Sequence, residues 1–68
     1  MTKRKSPAAT IEQSKAILAG RLRLGLTMRE LAHKVGLDQG TLQRIVNGDA
    51  PLTQRSRELI EEVLGRLP

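Results

Sequence analysis

Between Asp38 and Gly48 the chain carries Gln39, Gly40, Gln43, Arg44 and Asn47. At about 100° per residue, these five fall within an arc of about 140° on a helix, with Leu42, Ile45 and Val46 on the opposite side. Carboxamide and guanidinium groups offer donors and acceptors in fixed pairs. Arg meets guanine bidentately, and Gln or Asn meets adenine the same way. The glycine lets a backbone approach closely. A helix face selected only for solvation is usually richer in Glu and Lys, and this one has neither. The chemistry on offer is hydrogen-bonded readout of base edges.

Other chemistries lack their parts. The chain has no cysteine and a single histidine, His33, so no metal cluster is expected, and no cofactor. No nucleophile–base pair or phosphate-cradling loop stands out, so an enzyme is not expected. Glu12, Glu30, Glu58, Glu61 and Glu62 read as caps and solvated faces, and His33 as a surface residue. The formal charge of +5 points to a polyanionic partner. Single-strand binders stack bases on aromatic rings, and this chain has none, which favours duplex over single strands. Interfacial membrane helices usually carry aromatic anchors too. The basic start is not followed by an apolar segment, so no signal peptide is read, and no apolar run reaches membrane-spanning length. A soluble protein of the cytoplasm, associated with a bacterial nucleoid, is the expectation.

The elements that must position these groups are legible from their punctuation. With 68 residues the chain has room for one domain. Lys3, Arg4 and Lys5, followed by Ser6–Pro7, read as a flexible basic arm, with the arm assigned to residues 1–9 and the folded unit to 10–68. Thr10 and Gln13 form a capping box opening a helix over about Ile11–Leu24. Ile17, Leu18 and Leu22 would give it an apolar stripe, with Lys15, Arg21 and Arg23 solvated. Gly20 weakens this helix unless close packing requires it, and Gly25 ends it. Thr27 and Glu30 form a second box before a helix of about Met28–Val35, whose Leu31, Ala32 and Val35 face a core. Asp38 caps a third helix of about Gln39–Val46, stopped at Asn47–Gly48. Thr53 caps a fourth running to about Gly65, with Leu59, Ile60, Val63, Leu64 and Leu67 along one side. No strand pattern is present. The expected fold is all-α, a compact four-helix bundle.

Within it, residues 28–47 fit two helices crossing steeply with almost no linker. Ala32 is small where they would pack, Gly36 sits where the turn needs positive φ, and Leu37, Leu42 and Ile45 would bury the inner surface. The stretch Arg21-Leu-Arg-Leu-Gly-Leu-Thr-Met-Arg-Glu-Leu-Ala-His-Lys-Val-Gly36, continued to Gly48, resembles the helix-turn-helix of the lambda-repressor-like (Cro-type) superfamily. Thr41-Leu-Gln-Arg-Ile-Val-Asn-Gly48 and Leu52-Thr-Gln-Arg-Ser-Arg-Glu-Leu-Ile60 also resemble the headpiece of the lactose-repressor family.

The resemblance implies base contacts in the major groove for Gln39, Gly40, Gln43 and Arg44, with Thr41 touching a base or the backbone. It implies phosphate contacts for Thr27, for Met28 at the start of the second helix, and for Asn47, Thr53 and Ser56. The basic arm resembles arms that wrap the duplex. Arg21 occupies a site that pairs with a glutamate in some Cro-type members. Val46 stands at the partner position here, which leaves Arg21 for phosphate. Arg55 and Arg57 in a first helical turn oppose the helix dipole, a placement that phosphates nearby would explain. Gly40 removes a side chain from a position that often reads bases, and Asp38 places a carboxylate where a hydroxyl is common. No sugar-binding domain follows, so no small-molecule ligand is implied. The expected function is sequence-specific regulation of transcription, as a phage- or plasmid-type repressor. It would act as a homodimer on a palindromic operator of duplex DNA, with the dimer surface sought around the fourth helix and an exposed Leu67. The alternative is an antitoxin-like protein-binding module that autoregulates through the same fold.

Overall fold

The computed structural model describes residues 7–68. Its helices are α1 (Ile11–Arg23), α2 (Met28–Val35), α3 (Gln39–Asn47) and α4 (Gln54–Leu64). Each begins at a side chain that caps its free amides. Thr10 and Thr27 form reciprocal capping boxes with Gln13 and Glu30. The Asp38 carboxylate accepts from the Thr41 amide, and the Thr53 hydroxyl accepts from the Ser56 amide. These caps satisfy donors that a helix start otherwise leaves open.

α2 ends at Gly36, whose φ of 91° reverses the chain within three residues of the start of α3. A Cβ in that left-handed conformation would be strained, so the turn depends on glycine. Gly20 serves differently. It is buried in α1, and a Cβ there would stand 2.8 Å from Cδ2 of Leu64, so its absence lets α4 pack against α1.

The core is wholly aliphatic: Ile17, Leu31, Ala32, Val35, Leu42, Ile45, Leu52, Ile60 and Leu67 are buried. All four helices contribute, so the base of α3 is held from α1 and α2 together. One further bond fixes its far end, where Ser14 of α1 donates to the Val46 carbonyl at 2.9 Å. No helix among the described residues is long and apolar enough to cross a membrane.

Several expectations need correction. Leu22 was placed on the buried stripe of α1 but is 68% exposed, because α1 is contacted over a narrower sector than its apolar residues span. Leu67 was expected to be exposed and is buried. Gly65 ends α4 with φ 92°, and the Leu67 amide donates to Glu61 Oε2, which turns the side chain back into the core. Residues 7–9 were assigned to a flexible arm. Instead, the Pro7 carbonyl accepts from the Leu52 amide, Ala8 bridges to Pro51, and Ala9 packs on the core. Lys3, Arg4 and Lys5 lie outside the described residues.

Candidate nucleic-acid interface

α3 is sharply two-sided. Leu42 and Ile45 are fully enclosed, while Gln39, Gly40, Thr41, Gln43, Arg44 and Asn47 are exposed. The polar groups expected to read bases therefore share one open surface, held at its base by the core. Val46 is half-buried against that core.

The exposed side chains are partly organised by one another. Nε2 of Gln43 donates to Oδ1 of Asn47 at 3.1 Å, one turn further along. Oδ2 of Asp38 accepts from both the amide and the hydroxyl of Thr41 at 3.2 Å. The carboxylate that stood out in the sequence is thus an N-cap, stabilised by the positive end of the helix dipole. It also takes up the Thr41 hydroxyl. The Arg44 carbonyl accepts from amides past the helix end, but its side chain makes no hydrogen bond or ion pair with any described residue.

Thr27, Met28, Thr53 and Ser56 lie at the starts of α2 and α4. The hydroxyl of Thr27 is engaged in its capping box. Thr53 accepts from the Ser56 amide and donates to the Ser56 hydroxyl at 3.0 Å. What these positions still offer an anion is backbone N–H groups at a helix N-terminus. Arg55 is exposed and unpaired among the described residues. Arg57 is not: its Nε pairs with Glu61 at 3.3 Å, which explains a cation in the first turn without a phosphate. Arg29, His33 and Lys34 are also exposed on α2.

Arg21 departs from expectation. Rather than standing solvated and free, it is half-buried, and its Nη1 donates to the Leu26 carbonyl at 3.0 Å. Its Nε is enclosed with no partner. The side chain braces the connection between α1 and α2 instead of standing free in solvent. Ser14, in turn, was not singled out from the sequence. A serine within a helix gives no local sign that it bonds a carbonyl 32 residues away.

Residues 17–68 match the helix-turn-helix family, which spans all four helices apart from the first turn and a half of α1. The chain belongs to that family. Helix-turn-helix proteins of this kind are DNA-binding regulators rather than catalysts, and among the described residues no group of His, Cys, Asp or Glu could hold a metal ion. Two solved structures are similar over most of this helix-turn-helix chain. One is an alanine mutant, at a single tyrosine, of the restriction-modification controller protein C.Esp1396I, with TM-score 0.72 and 34% identity over 82% of this chain and 73% of that one. The other is a phenylalanine mutant at the same tyrosine, with TM-score 0.71 and 31% identity over 87% of this chain and 77% of that one. A search of curated proteins gives no match.

Proposed function

We propose that this helix-turn-helix protein is a sequence-specific transcription regulator, a repressor of the phage or restriction-modification controller kind, acting on operator DNA at the bacterial nucleoid. α3 enters the major groove. Gln39, Gly40, Thr41, Gln43 and Arg44 meet base edges, while the α2 and α4 N-termini, through Thr27, Met28, Thr53, Arg55 and Ser56, hold phosphates with Asn47. Lys3, Arg4 and Lys5 add sequence-independent attraction. One observation carries this reading: the only side chains exposed along α3 are of types that match base edges or cap the helix, and its other side is locked into the core. The Cro-type and lactose-repressor likenesses, and the similarity to a controller protein, support the same placement.

A single recognition helix covers few base pairs, so the working form is a homodimer on a palindromic site, with half-sites about 34 Å apart. With Leu67 buried, the surface for pairing has to be sought elsewhere. Leu22 and Leu24 are the large apolar side chains exposed at the end of α1, and they are the first place to look.

Random-site selection on duplex DNA, repeated at two salt concentrations, tests the function. The expected result is a symmetric consensus whose affinity falls steeply with salt. Recovery of unenriched sequence at both concentrations would overturn it.

A further inference from the structure

The first turn of α3 contains a glycine that the fold itself does not require. Gly36 is needed for its left-handed turn and Gly20 for the approach of Leu64. Gly40 has neither reason. Its φ is not positive, and a Cβ built on it would meet only Asp38 Oδ2 at 3.5 Å, an ordinary contact. Alanine would fit and is the better helix former. A residue that weakens its own helix without relieving anything inside the chain has its explanation outside, on the surface where it is exposed.

The neighbouring residue sharpens the chemistry. Thr41 donates its hydroxyl hydrogen to Asp38 Oδ2, so it has no side-chain proton left for a base, and its methyl is the apolar group next to Gly40 in sequence. On the exposed side of α3, among Gln39, Gln43 and Arg44, residue 40 therefore presents backbone with no side chain over it. In the major groove of DNA, thymine alone among the bases raises an apolar group, its C5 methyl.

We infer that Gly40, beside the methyl of Thr41, is the seat of a thymine methyl and sets the preference of the operator at that base pair. This rests on α3 being the base-reading helix. A Cβ at residue 40 would occupy the space the methyl takes, so Gly40 determines specificity by what it lacks.

The test begins with site selection by the wild type and by Gly40→Ala, followed by replacement of each thymine in the selected half-site with uracil, which removes only the methyl. The wild type should lose about fourfold in affinity at one thymine, the value of one buried methyl group. Gly40→Ala should show no uracil penalty at that position, binding the uracil duplex as well as or better than the thymine one, and should select against thymine there, while unfolding at or above the wild-type temperature. If the wild type binds every uracil-substituted duplex as well as the original, or if Gly40→Ala keeps the same uracil penalty, the inference is overturned. The wild-type scan decides even if the variant misfolds. If the wild type selects no consensus at all, the base-reading role of α3 falls first, and the two failures are thereby distinguished.

Discussion

Gln43 and Asn47 are hydrogen-bonded to each other on the open side of α3, Nε2 to Oδ1 at 3.1 Å. One of the two remaining faces of the Gln43 amide is its carbonyl oxygen, and the other is the second Nε2 hydrogen. That is the pair of groups a bidentate contact with adenine uses. Asn47 thus orients Gln43 before any partner arrives, which lowers the ordering cost of binding. Asn47→Ala should therefore weaken discrimination at the base pair that Gln43 is proposed to read, by about 1 kcal/mol. Competition binding with operators altered at single positions would show it. A loss equal on every sequence would instead mark Asn47 as a phosphate contact alone.

Arg44 is the one cation on the exposed side of α3, and it is unpaired among the described residues. Arg44→Ala should cost about 1–3 kcal/mol on operator DNA and relax preference at one base pair. Arg44→Lys should recover charge but not the two-pronged contact, so nonspecific affinity should return before specificity does. Titrations on operator and random duplexes separate the two effects.

Arg55 should behave differently. In its proposed role as a phosphate contact it would carry no sequence information, so Arg55→Ala is expected to weaken operator and random DNA alike and to reduce the salt slope by about one. Arg57 is held by Glu61, and Arg57→Ala should leave the slope nearly unchanged. Binding constants measured across a salt series check both.

The turn glycine gives a stability prediction. Gly36→Ala puts a Cβ on a residue with φ 91°, at a cost of about 1–2 kcal/mol. Thermal or denaturant unfolding should register the whole loss. DNA affinity, measured where the variant remains folded, should fall mainly through a misplaced α3.

Glu61 gives the pH dependence. The Leu67 amide, and then Arg57 and Arg66, hold its carboxyl below the ordinary 4.5. A carboxylate whose folded pKa is depressed contributes stability that is present in full above the unfolded value and is lost as pH falls through the folded one. Unfolding midpoints should thus decline in acid below about pH 4.5. Glu61→Gln should lower stability at neutral pH and flatten that acid decline.

The parts of this fold that could be read directly from the sequence are those encoded within one helical turn. Thr10 with Gln13, Thr27 with Glu30, Asp38 and Thr53 all cap the helices expected of them, because a cap and its amides lie three residues apart. The two-sidedness of α3 was legible for the same reason, since periodicity alone separates Gln43 from Leu42 and Ile45. What escaped depends on distant partners. Whether Leu22 is covered is decided by where α4 lies, and whether Leu67 is buried by a bond from its amide to Glu61. Arg21 turns inward to a carbonyl beyond the helix end, and Ser14 reaches the end of α3. No periodicity announces such contacts.

The bond between the Pro7 carbonyl and the Leu52 amide ties the lead-in of α1 to the segment just before α4. Pro7 lies beside Gln54 and Arg57, at the start of α4. Joined there, the lead-in to α1 and the start of α4 are coupled through one backbone bond, so whatever loosens the first also disturbs the amides that α4 presents to an anion.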